Sequence, residues 1–111
     1  MKLGKRGCLI VDEGRVRHVP PFPVRAVDST GAGDAFTAAF LLARLRKWHR
    51  AEAALAANAA GAAAATVVGA GERLPTPEQV VRVLRAQRLN KSWDAVRLRV
   101  LRRLEAGRRR L

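Results

Sequence analysis

A glycine loop between two aspartates is the part of this sequence whose residue types and spacing can do chemistry. Residues 28–34 read Asp-Ser-Thr-Gly-Ala-Gly-Asp, and they stand between an apolar run at 24–27 and a stretch that is apolar at helical spacing. This order predicts a strand, a loop and a helix, with the backbone N–H groups of residues 31–34 unpaired in the first helical turn. Those N–H groups and the positive end of the helix dipole predict a site for an anion such as phosphate.

The second aspartate, Asp34, suggests the reaction. A carboxylate beside a bound phosphate is repelled by it unless the carboxylate has a task. The task that fits is to accept the proton of an attacking hydroxyl, as the general base of a phosphoryl transfer. Glycines at 31 and 33 suit such a site because a Cβ atom would keep the backbone away from the anion.

A purely structural interpretation of the same residues stays open. Asp28 is a possible Asx-turn residue, Ser29 or Thr30 an ordinary helix cap, and Asp34 a favourable charge in a first helical turn. For an isolated G-x-G-D string that interpretation would be the better one. The full seven-residue string, placed between a strand and an amphipathic helix, is more specific and favours the anion site.

Three segments resemble the ribokinase-like (PfkB) family of carbohydrate kinases. Residues 28–36, DSTGAGDAF, match the form D-[ST]-x-G-A-G-D-x-F of its second signature, with serine at position 29 where threonine is commoner. Residues 2–11, KLGKRGCLIV, resemble its strand and phosphate-side loop, and residues 56–71 resemble the helix and loop of its adenine pocket. The resemblance covers residues 1–88 and implies an α/β fold, the C-terminal part of a ribokinase-like three-layer αβα (Rossmann-like) domain.

The resemblance assigns a role to each residue of the loop. Asp34 falls on the catalytic base that deprotonates the sugar hydroxyl. Gly31, Ala32 and Gly33 fall on the anion hole that steadies the transferring γ-phosphoryl group, in agreement with the analysis of the loop alone.

The resemblance also places the nucleotide, so it implies ATP and Mg²⁺ as cofactors. Gly4 would lie near the nucleotide phosphates and Asn58 near the adenine. An asparagine that only packs or caps a helix is an equally good interpretation of Asn58.

Many members of the family hold a potassium ion beside the anion hole. Asp28 and the carbonyl of Thr30 match its ligands. The carbonyls of Ala64, Val67 and Gly69 are weaker candidates. The resemblance therefore implies K⁺ as a further cofactor.

The sequence matches only the C-terminal third of such a kinase. The Gly-Gly motif that grips the sugar, the lid strands and the Asn-x-x-Glu motif are not in it. We therefore expect a fragment that does not phosphorylate sugar alone. Its expected partners are a small-molecule sugar or nucleoside and the missing N-terminal part of the kinase.

The amino-acid composition indicates the general class of protein and its expected location. With 49% hydrophobic residues and a mean hydropathy of −0.10, the 111-residue chain is typical of a globular protein. No uncharged apolar run reaches the roughly 18 residues that span a bilayer, so no membrane partner is expected. The single cysteine, Cys8, excludes an internal disulfide, and cytoplasmic is the default location.

The strong positive charge supports an alternative function. The net charge is +13, and from Arg82 onward there are 11 basic and two acidic residues. We divide the chain into the kinase segment 1–88 and a basic amphipathic helix over 89–111. The alternative to a kinase is a non-catalytic module that binds nucleic acid through this arginine-rich end; an ordinary packed helix with an arginine-rich surface explains the same composition.

The elements that must position these residues follow from periodicity. Residues 8–11 and 16–19 predict a β-hairpin, and prolines 20, 21 and 23 exclude regular structure before a short strand at 24–27. Helices are expected over 35–47, beginning near Gly33 or Asp34, over the alanine-rich 51–66, and from a Thr76 capping box onward with Val80, Val81, Val83 and Leu84 inward. A loop is expected at 67–71, and a last helix from Trp93 with Val96, Val100, Leu101 and Leu104 on one stripe and arginines opposite.

Overall fold

The computed structural model describes residues 1–67 and 74–109, except for the side chains of 108 and 109. A 3-10 turn over Gly4–Arg6 precedes a β-hairpin, and four helices follow it. The strands are β1 (Cys8–Asp12) and β2 (Arg15–Val19), and the helices are α1 (Ala32–Leu45), α2 (Arg50–Ala65), α3 (Pro77–Ala86) and α4 (Lys91–Arg109). The mixed strand and helix content agrees with the expected α/β class, and most of the predicted loop at 67–71 lies outside the described residues.

The hairpin is confirmed, and α2 holds it in place. β1 and β2 are antiparallel, with Cys8 opposite Val19, and both of these side chains are buried. The side-chain amide of Asn58 on α2 donates to the carbonyls of Val19 (3.3 Å) and Pro20 (2.8 Å). Burial raises the pKa of the Cys8 thiol above its ordinary value, so the thiol stays protonated at neutral pH.

The predicted strand at 24–27 is wrong. No residue of this segment joins a ladder with another described strand, and the three prolines before it remove N–H donors from the approach. The N–H groups of Val27 (2.8 Å) and Asp28 (3.1 Å) instead donate to the carbonyl of Ala65, the last residue of α2. The segment is therefore fixed to the C-terminal end of a helix.

Alanine lets α1 and α2 pack closely. Every α2 residue from 51 to 65 is buried except Asn58, Gly61 and Ala62. A Cβ atom on Gly61 would lie 3.2 Å from the carbonyl oxygen of Ala32 in α1, so glycine permits the approach. α1 ends where the Trp48 N–H turns back to the Ala43 carbonyl at 3.0 Å, with Lys47 at a positive φ of 65°.

The start of α3 is the predicted capping box. The Gln79 N–H donates to the Thr76 hydroxyl at 3.2 Å, and the Thr76 N–H donates to the Gln79 side chain at 2.8 Å. Val80, Val81 and Leu84 are buried as expected, whereas Val83 is only half-buried.

The apolar stripe of α4 is confirmed and packs on the rest of the chain. Trp93, Val96, Val100 and Leu101 are buried, and Leu104 is half-buried. The helix begins at Lys91, two residues before the expected start. The Asn90 side chain caps it by accepting the N–H of Trp93 at 3.1 Å.

One arginine of α4 departs from the prediction that the arginines lie opposite the stripe. Arg97 is buried at 6% exposure and donates to the Leu84 carbonyl in the last turn of α3 (2.8 Å) and to Asp94 (2.7 Å). A guanidinium is well suited to that place because the carbonyls at a helix C-terminus carry partial negative charge. The Arg97 bond, with a further bond from the Leu89 N–H, lowers the pKa of Asp94 below its ordinary value.

A buried carboxylate on α2 joins it to α4. Glu52 is 1% exposed, and one of its oxygens accepts from Arg103 at 3.1 Å and lies 3.7 Å from Arg99. Its other oxygen, Oε1, is buried without a hydrogen-bond partner among the described residues. The Arg103 guanidinium also lies over the Trp48 ring, 5.4 Å from its centroid. Arg103 is therefore the main compensation for a carboxylate removed from water.

We expect Arg103→Met to destabilise the chain by about 1–2 kcal/mol, because it leaves Glu52 buried with only the more distant Arg99. The expected loss of stability is smaller than for a fully buried ion pair because the Arg103 side chain is 43% exposed. Urea unfolding measures it, with Arg102→Met, the exposed neighbour, as the matched control at under about 0.5 kcal/mol. The double variant Glu52→Gln/Arg103→Met should recover most of the loss. Equal effects of Arg103→Met and Arg102→Met would contradict this role for Glu52.

None of the helices within residues 1–67 and 74–109 combines the length and the apolar character that a bilayer span requires.

Candidate phosphate-binding loop

The loop between the two aspartates is shaped by its first aspartate and its first glycine. The Thr30 N–H donates to the Asp28 side chain at 2.9 Å, which is the Asx turn of the structural interpretation. Gly31 has a positive φ of 85° and caps the N-terminus of α1, and its carbonyl accepts the N–H of Ala35 at 2.9 Å. A side chain at position 31 would be strained in that conformation, so the glycine is required by the backbone itself.

Three loop amides are open, one fewer than expected. The Ala32 N–H donates to the carbonyl of Ser29 at 3.1 Å, so this amide is already occupied. Within the described chain the N–H groups of Gly31, Gly33 and Asp34 make no backbone hydrogen bond. The expectation of four open amides was wrong because the turn that shapes the loop uses one of them. The open amides and the helix dipole still favour an anion at this end of α1.

Asp34, the predicted general base, lies close to the open amides in sequence, and its catalytic role stays a prediction. It lies in the first turn of α1 and its side chain is exposed. No described cation lies within 4.0 Å of its carboxylate. A carboxylate that is exposed and not engaged in an ion pair is accessible to the hydroxyl of a substrate.

α2 packs against the first turn of α1, which follows the loop. Gly61 faces the Ala32 carbonyl, and Ala64 packs with Ala35 in a small buried cluster. Sequence reasoning missed Gly61 as a loop-positioning residue. The signal in the sequence was a glycine inside an otherwise regular alanine-rich helix. Glycine weakens the interior of a helix, so its presence there indicates that another backbone comes close.

Residue 28, a predicted cation ligand, lies next to the end of α2, which precedes two of the weaker candidates. Asp28 lies against the end of α2 through the bond from its N–H to the Ala65 carbonyl at 3.1 Å. Ala64 adjoins that carbonyl and Val67 follows two residues later, whereas Gly69 lies outside the described residues. Among residues 1–67 and 74–109 no group of three His, Cys, Asp or Glu side chains is placed to hold a metal. Oxygen donors from one carboxylate and several carbonyls suit a hard cation, and K⁺ binding by Asp28 and Thr30 stays a prediction.

The two residues assigned to the nucleotide are found in different settings. Gly4 is exposed in the 3-10 turn at a φ of 61°, with open space where a Cβ would stand. Asn58 is half-buried, and its NH₂ group is taken by the two carbonyls that hold the hairpin. The packing interpretation of Asn58 therefore describes its contacts, and its contact with adenine stays a prediction.

The arginine-rich helix α4 packs against α2 and α3. Arg97, Arg99 and Arg103 contact α3 or α2, and Arg85 of α3 pairs with Glu105. The apolar stripe of α4 is covered by the body of the protein, as the packed-helix interpretation requires. Nucleic-acid binding by this end stays a prediction.

Comparison with known proteins decides the family. Residues 1–77 match the pfkB family of carbohydrate kinases. The chain belongs to this family. The match includes the whole glycine loop and both strands of the hairpin. It also confirms the resemblance drawn from residues 28–36.

Named relatives and solved structures agree with this assignment. The chain is 39% identical over 88 residues to an inositol 3-kinase of Zea mays and 42% identical over 85 residues to an aminoimidazole riboside kinase of Salmonella typhimurium. Those alignments cover 79% and 72% of this chain but 23% and 27% of the relatives. A crystal structure of ribokinase from Thermotoga maritima aligns with a TM-score of 0.68 at 39% identity, over 76% of this chain and 28% of the ribokinase. The fold is α/β and ribokinase-like, and the chain spans about a quarter of the length of these relatives.

Proposed function

We propose that this chain is the phosphate-binding and catalytic segment of an ATP-dependent kinase that phosphorylates a hydroxyl of a sugar or nucleoside. The carrying observation is the N-terminus of α1, where the N–H groups of Gly31, Gly33 and Asp34 make no backbone hydrogen bond and the Asp34 side chain is exposed in the same turn. Membership of the carbohydrate kinase family supports the reaction class. The named relatives act on a cyclitol, a riboside and sugars, so a polyol substrate is proposed in general terms.

In this proposal the residues of the loop have different roles in one displacement reaction at the γ-phosphorus. Asp34 accepts the proton of the substrate hydroxyl as the oxygen of that hydroxyl bonds to the γ-phosphorus and the bond to the ADP oxygen breaks. The amides of Gly31, Gly33 and Asp34 donate to the phosphoryl oxygens, whose charge they stabilise. The Ala32 amide contributes through the turn that shapes the loop.

The residues present fit the proposed cofactors to different degrees. Open amides at a helix N-terminus are a suitable acceptor site for the γ-phosphoryl group of ATP. Asp28 and neighbouring carbonyls offer oxygen donors for K⁺. No described cluster of carboxylates would hold Mg²⁺, so in this proposal Mg²⁺ is carried by the ATP phosphates. Mg²⁺ neutralises phosphate charge when it is bound.

Turnover is proposed for a complete kinase domain and not for the 111 residues alone. The chain spans about a quarter of its relatives, and the motif that grips the sugar is not among its residues. The remaining part of a kinase domain is therefore a proposed partner. The isolated chain is expected to bind MgATP without producing ADP when sugar is added.

The loop is tested by Gly31→Val, for which we expect MgATP affinity to fall at least tenfold. A β-branched residue is strongly disfavoured at the φ of 85°. The backbone of the turn must therefore adopt another conformation, which alters the arrangement of the open N–H groups. Isothermal titration in potassium buffer measures the loss. Gly14→Val is the matched control, because Gly14 has a similar φ of 78° in the hairpin turn, far from the loop in sequence. Equal affinities in the two variants would contradict a formed anion hole, and circular dichroism would verify that both chains are folded.

A further inference from the structure

The last helix, α4, lies outside the part of the chain that matches the pfkB family. The family match ends at residue 77, whereas α4 begins at Lys91. The inner face of α4 is buried against the rest of the chain through Trp93, Val96, Val100 and Leu101. A function of α4 beyond packing must therefore come from its opposite face.

The outward face of α4 is the one that Lys91, Leu98 and Arg102 share. Lys91 and Arg102 are separated by about three helical turns, so both point away from the buried stripe and lie about 16 Å apart along the helix axis. Both side chains are exposed. Arg99 flanks them with 54% of its side chain exposed, and it is 3.7 Å from the Glu52 carboxylate. The outward face therefore presents a row of cations.

Acidic side chains do not neutralise this row. The two carboxylates of α4, on Asp94 and Glu105, are engaged elsewhere, Asp94 by Arg97 at 2.7 Å and Glu105 by Arg85 of α3. Across residues 1–67 and 74–109 no carboxylate lies within 4.0 Å of either of the two aligned cations of the outward face. Their charge is therefore available to an anion from outside the chain.

The surroundings of these cations favour the phosphates of a nucleic-acid duplex. A helix that binds a membrane surface inserts an apolar face, but the apolar stripe of α4 is buried and Leu98 of the outward face is only 42% exposed. Single strands are bound by stacking on aromatic rings, but Trp93, the aromatic residue of α4, is 6% exposed. A row of cations without exposed rings suits the regularly spaced phosphates of a duplex, and guanidinium groups bind phosphate by charge-assisted hydrogen bonds.

We propose that the outward face of α4 binds the phosphate backbone of a nucleic-acid duplex. The contacts are with phosphate and not with base edges, so binding is independent of base sequence. The inference goes beyond the proposed kinase function and requires nothing of the glycine loop. The net charge of +13 assists the approach of the duplex, and the outward face determines where it binds.

The test is fluorescence anisotropy of a short labelled DNA duplex titrated with the full 111-residue chain between about 50 and 200 mM salt. Contacts with about three phosphates predict a slope of about −3 for log K against log salt concentration. The double variant Lys91→Met/Arg102→Met should bind about tenfold more weakly and should reduce the steepness of the slope by about 2. A folded wild-type chain that does not bind the duplex would overturn the inference.

The matched control is Arg6→Met/Arg25→Met, which removes the same charge from two exposed arginines outside α4. It should weaken binding by less than about threefold and leave the slope near its wild-type value. Equal losses in the two double variants, with both chains folded by circular dichroism, would show general attraction to a basic chain and overturn the inference.

Competing ligands and one loop variant distinguish the remaining interpretations. Polyglutamate at the same charge concentration should not displace the duplex, and neither should vesicles of phosphatidylserine. Displacement by the first would indicate an acidic protein as the partner and displacement by the second a membrane surface, and either result would contradict the proposal. Gly31→Val, which alters the glycine loop, should bind the duplex as the wild type does. A failure of the kinase proposal is therefore seen in ATP binding and a failure of this inference in duplex binding.

Discussion

Asp34→Asn is expected to lower kcat by about 10²–10⁴-fold in a kinase domain that contains this segment, the usual contribution of a general base. The domain for this test is a graft in which residues 1–88 replace the matched C-terminal part of the Thermotoga maritima ribokinase. Asparagine keeps the shape of the side chain but does not accept the proton of the hydroxyl. The affinity for MgATP should change little, because the amides of Gly31 and Gly33 are unaltered.

The kinetics of the graft, followed by coupled ADP release with ribose, measure this effect. Glu13→Gln is the control, since Glu13 is an exposed carboxylate in the hairpin turn. A parallel titration with MgATP separates a loss of chemistry from a loss of binding. An Asp34→Asn graft that keeps more than a tenth of the wild-type kcat would contradict the role of Asp34 as the base.

Gly7→Ala is expected to destabilise the chain by about 3–5 kcal/mol, a large part of the stability of a typical domain. Gly7 has a φ of 91° and a ψ of −138°, a conformation that other residues rarely adopt. A Cβ atom there would lie 2.1 Å from the backbone oxygen of Val19 and 3.0 Å from the nitrogen of Pro21. Because both contacts are with backbone, the start of β1 must move away from the end of β2.

Comparing the urea unfolding of Gly7→Ala with that of Gly14→Ala measures the effect of the steric clash at position 7. Gly14 also has a positive φ, of 78°, but it has open space around its Cβ position. Gly14→Ala should therefore lower the free energy of unfolding by only about 1–2 kcal/mol, because alanine is disfavoured in a left-handed backbone conformation. A difference between the two variants of less than about 1 kcal/mol would show that the hairpin adjusts more easily than the structure indicates.

Much of the fold could be predicted because local signals were strong. The hairpin followed from two apolar runs around a turn, and α3 followed from Thr76, Pro77 and Gln79. The segment 24–27 was mispredicted because its β-type residues take their hydrogen-bond partner from the end of α2. A partner so distant in sequence leaves no local pattern.

The position of the glycine loop at the start of a helix was predictable, but the hydrogen bonds within the loop were not. The string from Asp28 to Asp34 located the loop and its glycines correctly. The use of the Ala32 amide by Ser29 depends on the dihedral angles of the turn, which composition does not determine. Gly61 was missed because its contact with the Ala32 carbonyl arises only when α2 packs against α1.

The buried charges were missed for a related reason. Arg97 was predicted with the other arginines opposite the apolar stripe, and Glu52 was not singled out, yet both are at most 6% exposed. Arg97 is compensated by a helix end and Glu52 by arginines of another helix, and such partners are known only after the helices are packed. A buried charge requires compensation of this kind.

The central claim is that the loop of this chain binds nucleotide phosphate through its own amides. It is tested most directly by a ¹H–¹⁵N NMR titration of the intact chain with MgATP. We predict saturable shifts of the Gly31, Gly33 and Asp34 amide signals, with smaller changes at Ala32. Shifts confined to the arginine-rich helix α4, or none at all in a folded chain, would contradict the claim and favour the basic binding module instead.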